Sequence, residues 1–210
     1  MSLLSRPKRA PESAVIAISD PSGQPASVSA DNPMPVTPSA PNAESVKSSF
    51  HIGREFTRPA DTTQYAIGDV VANSTSAAVM QELANAALAN GRGGIIANAI
   101  LSKDGTTVTD AQFRVHLFST NVAGGATIPG QDNAGFGNKY ANSPYYIGYI
   151  DFATMAVGTG TNTGARAIAT FVNLSYHCEA TSLFYMVEAR AAYTPASAEK
   201  FRFDIEVIRD

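Results

Sequence analysis

The sequence predicts an all-β protein, an antiparallel β-sandwich of jelly-roll-like form, preceded by an extended N-terminal arm. Apolar and polar residues alternate with a period of two in several segments, most clearly from Phe201 to Ile208, a pattern typical of antiparallel strands with one wet face. Loops rich in Gly, Asn and Pro separate about seven or eight such segments, as in sandwiches and jelly rolls. We therefore divide the chain into an arm, residues 1–49, and a β-sandwich domain, residues 50–210.

The arm holds eight of the twelve prolines and no aromatic residue. Such a segment cannot bury enough apolar area to offset its ordering entropy. We expect an extended chain with polyproline character from Pro33 to Pro41, and a β-prone run, Ala14 to Ile18, that could extend the sheet edge of a partner. A simple linker is the alternative. The candidate partner-binding residues of the arm are Val15, Ile16, Ile18, Asn32, Pro33, Pro35 and Val36.

The stretch from Phe56 to Val71 connects the arm to the domain. Arg58-Pro59 favours an extended or turning backbone, because the proline ring fixes its own φ and restricts the residue before it. Gly68-Asp69 permits a sharp bend, and Val70 and Val71 supply apolar surface. The stretch predicts a turn, a short apolar strand and a second turn.

Six further segments are predicted strands. The segment from Gln112 to Ser119 places Phe113, Val115 and Leu117 on one face. The segment from Arg166 to Cys178 places its even-numbered residues, beginning with Ile168, on one face. The last two segments are expected to pair through the loop Thr194–Ala198. The long Asn121–Pro144 loop is of a length that is commonly functional, and its candidate contact residues are Phe136 and Tyr140. The six segments are Gly94–Ser102, Gln112–Ser119, Tyr145–Phe152, Arg166–Cys178, Ser182–Tyr193 and Phe201–Ile208.

The composition of the chain favours a protein partner over nucleic acid or a membrane. The chain has 210 residues, a net charge of −3 and 16% charged residues, below the roughly 25% usual for soluble domains. A surface poor in charge often contacts other proteins, and the negative charge argues against nucleic acid as a partner. The single cysteine excludes an intrachain disulfide, and no apolar run is long enough for a transmembrane helix. We expect neither a nucleic-acid nor a membrane partner.

Catalytic patterns are weak, and we expect no enzyme activity, no cofactor and no metal site. Ser197 and Lys200 match the S-x-x-K spacing of serine–lysine hydrolases, but they lie beside Pro195 between two strands rather than on a helix. His177 and Cys178 are strand neighbours that face opposite ways, so they cannot share a metal ion, and Cys178 is expected to be a buried apolar residue. Four tyrosines could line a sugar-binding face, since aromatic rings stack on sugars, and this leaves a carbohydrate-binding module as an alternative; they are Tyr140, Tyr145, Tyr146 and Tyr149.

Three motifs carry a resemblance to a known family. The stretch TRPADTTQYAIGDVV, the glycine-rich step GRGGII from Gly91 to Ile96, and ARAAYTPASAEKFRFDIEV from Ala189 to Val207 occur in that order. Together they resemble motifs of a group of tailed-bacteriophage virion structural proteins, over about Phe56 to Val207. Asp31 to Val36, DNPMPV, resembles an element in the arms of phage structural proteins. The resemblance carries no catalytic residues.

The resemblance implies a capsid decoration, or cement, protein of the phage head, assembled in the cytoplasm of the host bacterium. Its partners would be the major capsid protein or other virion proteins, and a homo-oligomer such as a trimer would suit the threefold positions of a capsid. A tail, collar or head-fibre component is the alternative within the family. Propensity favours a helix over Ala77–Asn90, whereas the family comparison favours a short strand near Val79–Leu83 followed by irregular chain, which we adopt.

Overall fold

The computed structural model describes residues 49–122, 130–137, 140–159 and 164–210, and these form two packed antiparallel sheets. One sheet has six strands and the other has five. A 3-10 helix, Tyr140–Tyr145, precedes β6. The strands are β1 Ser49–Thr57, β2 Val70–Val71, β3 Gln81–Leu83, β4 Gly93–Lys103, β5 Phe113–Phe118, β6 Tyr146–Phe152, β7 Ala156–Val157, β8 Ala165–Ala169, β9 Leu174–His177, β10 Leu183–Ala189 and β11 Lys200–Arg209.

The strand order is that of a jelly roll. The six-stranded sheet runs β1-β11-β4-β8-β7, with β9 also pairing with β4, and the five-stranded sheet runs β2-β10-β5-β6, with β3 also on β10. The pairs β1–β11 and β4–β8 therefore lie in one sheet, and the pairs β2–β10 and β5–β6 lie in the other. These four pairs are nested along the chain, as in a long hairpin rolled into two Greek keys. The predicted all-β, jelly-roll-like sandwich is thus confirmed.

The main core lies between the sheets and is formed by strands whose successive side chains point alternately into and away from it. Along β11 the odd-numbered residues from Phe201 to Val207 are at most 1% exposed, while Arg202, Asp204 and Glu206 face away from the core. Phe113 packs edge-on against Phe201, with ring centroids 5.3 Å apart. Burial of one such side chain contributes about 1.5–3 kcal/mol, so the strand pattern recognised in the sequence is also the main source of stability.

A second hydrophobic cluster covers the outer face of the five-stranded sheet. Val70, Phe118 and Met186 project from its strands, and the segment 130–137 packs over them through the half-buried Phe136. Backbone bonds between Asn133 and Val70 and between Phe136 and Gly68 hold this segment against β2. Part of the long loop therefore supplies a cover for its own domain.

Two sequence predictions are wrong in their topology. Arg166 to Cys178 is two strands, β8 and β9, both paired with β4. Between them Phe171 and Asn173 have left-handed backbone, with φ of 56° and 48°. This irregularity shifts the alternation, so that Ile168 is 58% exposed while Tyr176 and Cys178 are buried.

The last two strands do not pair with each other. β10 lies in the five-stranded sheet and β11 in the six-stranded sheet, because the chain passes from one sheet to the other through 190–199. Within 77–92 the adopted strand-plus-irregular prediction agrees with β3 and the turns after it. At the start of the domain Gly68 has a φ of 93° and provides the predicted bend before β2.

Candidate functional site

The motif TRPADTT builds a buried ionic network around Arg58. The side chain of Arg58 is fully buried, and its guanidinium donates to the hydroxyl of Tyr65 at 2.8 Å and to the carboxylate of Asp132 at 3.4 Å. It also donates to a carboxylate oxygen of Asp61 at 3.0 Å. Tyr65 donates in turn to Asp132 at 2.6 Å, and burial, followed by the charge of Asp132, raises the pKa of Tyr65. The network joins the start of the domain to the 130–137 segment.

The closing motif AYTPASAEKF builds a second buried network around Glu199. The side chains of Lys103 and Glu199 are fully buried, and their charged atoms lie 2.9 Å apart. Tyr193 donates to the same carboxylate at 2.6 Å and accepts a 2.8 Å bond from the Lys103 ammonium. Burial raises the pKa of Tyr193, and the Glu199 bond raises it further. All three polar groups have partners, as buried charged groups require.

The two motifs lie against each other although about 130 residues separate them. The amide of Arg58 donates to the carbonyl of Glu199 at 3.1 Å, and that of Tyr65 donates to the carbonyl of Tyr193 at 2.9 Å. The rings of Tyr65 and Tyr193 are nearly parallel, 6.5 Å apart. We refer to Arg58, Tyr65, Asp132, Lys103, Tyr193 and Glu199 as the clamp. The clamp fastens the beginning of the domain to its last strands.

The structure describes only two of the nine candidate partner-binding residues, Phe136 and Tyr140. The roles of the seven candidates in the arm, and the boundary of the arm, stay predictions, because these residues lie outside the described ranges. They are Val15, Ile16, Ile18, Asn32, Pro33, Pro35 and Val36. Tyr140 begins the 3-10 helix. Phe136 is half-buried, and its ring stacks on His116 with centroids 3.8 Å apart.

His116 occupies a closed polar site beneath Phe136. Its Nε2 lies 2.7 Å from the carboxylate of Glu188, and its Nδ1 lies 3.0 Å from the hydroxyl of Tyr146. The other side of Glu188 pairs with Arg190 at 2.8 Å. Burial lowers the pKa of His116, and the bond to Glu188 opposes this effect. Because both ring nitrogens are engaged and the residue is 4% exposed, this histidine supports local structure.

A group of aromatic side chains lies near the strand β6. Tyr145 is 37% exposed and Tyr149 is 49% exposed, whereas Tyr146 bonds to His116 as described. Arg114 lies over the Tyr149 ring at 3.6 Å and pairs with Asp151 at 2.7 Å. All three belong to the tyrosines that the sequence suggested for sugar stacking, and Tyr149 is the most accessible of the three.

The structure does not bring the residues of the weak catalytic patterns into a catalytic or metal-binding arrangement. Ser197 lies in a turn and Lys200 begins β11, so the pair is not on a helix. His177 is exposed, whereas Cys178 is fully buried, and burial raises the pKa of its thiol to about 11. In the part of the chain that the structure describes, no three His, Cys, Asp or Glu side chains are grouped so as to hold a metal ion. Within those same ranges no helix has the length and apolar character needed to cross a bilayer.

Comparisons with known proteins give no assignment. No protein-family model matches the chain, and no curated protein sequence matches it.

Proposed function

We propose that this chain is a bacteriophage virion structural protein, and specifically a capsid decoration protein that attaches to the head through its arm. The observation that carries the proposal is the clamp. The two outer motifs that resemble phage virion proteins, separated widely in sequence, meet and share backbone bonds. The resemblance therefore rests on residues that build the domain, and this shared construction is what supports the proposed structural role.

The arm supplies the proposed mechanism of attachment. Its composition disfavours folding alone, so many weak contacts, including strand addition by Val15, Ile16 and Ile18, would order it only against neighbouring virion proteins. The major capsid protein is the proposed main partner. The jelly-roll domain, which begins its first strand at Ser49, would then sit on the outer surface of the assembled particle.

Binding to purified particles that lack the protein tests this mechanism. We expect the full chain to cosediment with particles and the fragment 49–210, which holds both sheets, to remain in the supernatant. A full-length variant with Val15, Ile16 and Ile18 changed to Ser should also lose binding, whereas a control with Val28 and Val46 changed to Ser should retain it. Equal binding by the fragment and the full chain would refute attachment through the arm.

A tail, collar or head-fibre position is compatible with the same design. Labelling of particles with antibodies separates these positions from the head, because each predicts a different location of the label.

A glycan-binding role is a second candidate, favoured by the exposed rings of Tyr145 and Tyr149. It predicts saturable binding to host-surface glycans that is weakened by Tyr145→Ala or Tyr149→Ala. Val79→Ala, which removes an equally exposed apolar side chain elsewhere, is the matched control. Absence of saturable binding on an array of such glycans would exclude this role.

A further inference from the structure

The strand β1 has one edge with which no described strand pairs. Its nine residues, Ser49–Thr57, pair with β11 in an unbroken register at the margin of the six-stranded sheet. The amide of Arg58 donates to the carbonyl of Glu199, the next pair in that register, so the even-numbered residues of β1 make the backbone bonds to β11. The odd-numbered residues therefore direct their N–H and C=O groups to the open edge. They are Ser49, His51, Gly53, Glu55 and Thr57.

The other sheet edges in the described ranges are short or irregular, whereas β1 is long and regular. β2 and β7 have two residues each, β3 has three and β9 has four. The edge strand β6 is seven residues long, but its register with β5 is interrupted at Leu117 and Phe118. Short strands and bulges protect an edge from pairing with another chain. β1 contains no proline and no irregularity, so its edge can accept a further strand.

The sequence of β1 is complementary to itself in the antiparallel orientation. When two β1 strands pair about Gly53, His51 of each copy lies opposite Glu55 of the other, where the imidazole and the carboxylate can bond. The same register places Phe50, which is 39% exposed, opposite Phe56 of the second copy. Polar pairs of opposite charge and aromatic pairs stabilise neighbouring strands. This register also pairs the whole of β1, from its first residue to its last.

Other registers lose this complementarity. The open backbone groups can bond only when odd-numbered residues face odd-numbered residues, so the centre of the pairing must lie on a residue. A centre on Arg54 or on Glu55 places like charges directly opposite each other, which is destabilising. A centre on Ile52 reduces the paired stretch to residues 49–55 and leaves His51 opposite Gly53. The register about Gly53 is therefore the most favourable of these.

We infer that β1 is the interface of a twofold dimer, in which the β1 strands of two copies of this chain pair antiparallel about Gly53. The same surface of both copies then forms the contact, as a twofold interface requires, and the two six-stranded sheets become one continuous sheet. Five facing pairs of odd-numbered residues exchange two bonds each, which gives about ten main-chain hydrogen bonds, the number in a typical protein interface. The Arg202–Asp204 ion pair lies over Gly53, so these charges beside the axis are already paired.

Sedimentation equilibrium of the purified full chain at micromolar concentrations tests the dimer. We expect twice the chain mass of 22.0 kDa. His51→Pro removes an N–H from the open edge without removing a bond to β11, a position where an edge strand tolerates proline, and it should give a monomer with an unchanged far-UV circular dichroism spectrum. The matched control His51→Ala keeps the N–H and should remain a dimer, with a dissociation constant raised by roughly 2- to 30-fold through the loss of two side-chain pairs.

Three sedimentation results would overturn the inference. They are a wild-type chain that is a monomer, a wild-type chain that is a trimer, and a folded His51→Pro variant that dimerises as tightly as His51→Ala. The inference goes beyond the proposed function and does not depend on it. Because the experiment uses no particles, its failure is distinct from a failure of the proposed virion role.

Disulfide formation between two different variants tests the register, even if His51→Pro does not fold. Ile52 of one copy faces Arg54 of the other in a pair whose Cα atoms would lie about 4.5 Å apart, within the range of disulfides. An equal mixture of ¹⁵N-labelled Ile52→Cys and unlabelled Arg54→Cys chains, equilibrated under reduction and then oxidised, should give a mixed-isotope linked dimer in mass spectrometry. The native Cys178 is fully buried and should take no part.

The control mixture combines Ile52→Cys with Ile67→Cys, at a side chain that is 69% exposed in the segment before β2. It should give little mixed-isotope product. Equal yields from the two mixtures would contradict the pairing of β1 about Gly53.

Discussion

The clamp and the outer side chains of Ile168 and Phe171 depart from the usual distribution of side chains in opposite directions. In the clamp, charged groups such as Lys103 and Glu199 lie inside, and each has a partner within hydrogen-bond distance. In and just after β8, Ile168 and Phe171 lie outside and bury little area. Removal of a clamp group leaves an unpaired charge in the interior, whereas removal of either outer side chain leaves the core intact. The comparison separates residues that hold the domain together from residues that are available for contacts.

The largest expected effect is in the clamp. Glu199→Ala leaves the Lys103 ammonium buried without its carboxylate, and the loss of one partner of a buried pair costs about 3–5 kcal/mol. Urea denaturation of the purified protein measures this change in the free energy of unfolding. The control is Glu55→Ala, which removes the half-exposed partner of Lys200 and should cost at most about 1 kcal/mol. Similar losses in the two variants would remove the distinction between clamp and surface.

His116 sharpens the comparison, because it is buried like the clamp but has a side chain whose ordinary pKa is about 6.5. Its folded-state pKa is lowered by burial, so the unfolded chain binds a proton more readily than the folded protein. Stability is therefore present above the unfolded pKa of about 6.5 and is lost as the pH falls through the lower folded pKa. One proton gives a slope of at most about 1.4 kcal/mol per pH unit.

Denaturation between pH 7 and pH 5 measures this slope. His116→Gln should lower stability at pH 7 and flatten the dependence, while His177→Gln, at an exposed histidine, should retain the wild-type slope. An unchanged slope in His116→Gln would show that other groups cause it.

The smallest expected effect is a gain in stability at Phe171. Phe171→Asn places a residue that tolerates left-handed backbone at a φ of 56° and should stabilise the isolated domain, 49–210, by about 1 kcal/mol. Ile168→Asn, in the regular strand β8, should give no gain. A loss of stability in Phe171→Asn would mean that the ring contributes to folding.

The strands that the sequence predicts well are those with uninterrupted alternation. β5 and β11 are recognisable because Phe113, Val115 and Leu117, and likewise Phe201 to Val207, follow the pleat throughout. The prediction of one strand over Arg166–Cys178 is wrong because Phe171 and Asn173 take left-handed backbone that their residue types do not demand. When the alternation is continued across these two residues, Ile168 is assigned to the wrong face. The predicted pairing of β10 with β11 is wrong because the connection, residues 190–199, crosses to the other sheet. A connection of this kind can also turn back into the same sheet, and the sequence does not distinguish the two.

The clamp could be predicted only in part. The motifs contain Arg58 and Glu199, but nothing in them indicated burial, which is rare for such residues unless they are paired. The partners Asp132 and Lys103 lie far away in sequence. Their proximity depends on the three-dimensional path of the chain. The closed surroundings of His116 were missed for the same reason, since Phe136 and Glu188 reach it from two different elements.

The most direct test of the proposed virion role is quantitative mass spectrometry of mature phage particles, purified from a host that carries the gene for this chain. Our account predicts that the protein is present in a fixed ratio to the major capsid protein, and that the ratio is unchanged by repeated gradient purification. Its absence from mature particles, or a ratio that falls towards zero with each purification, would contradict the account.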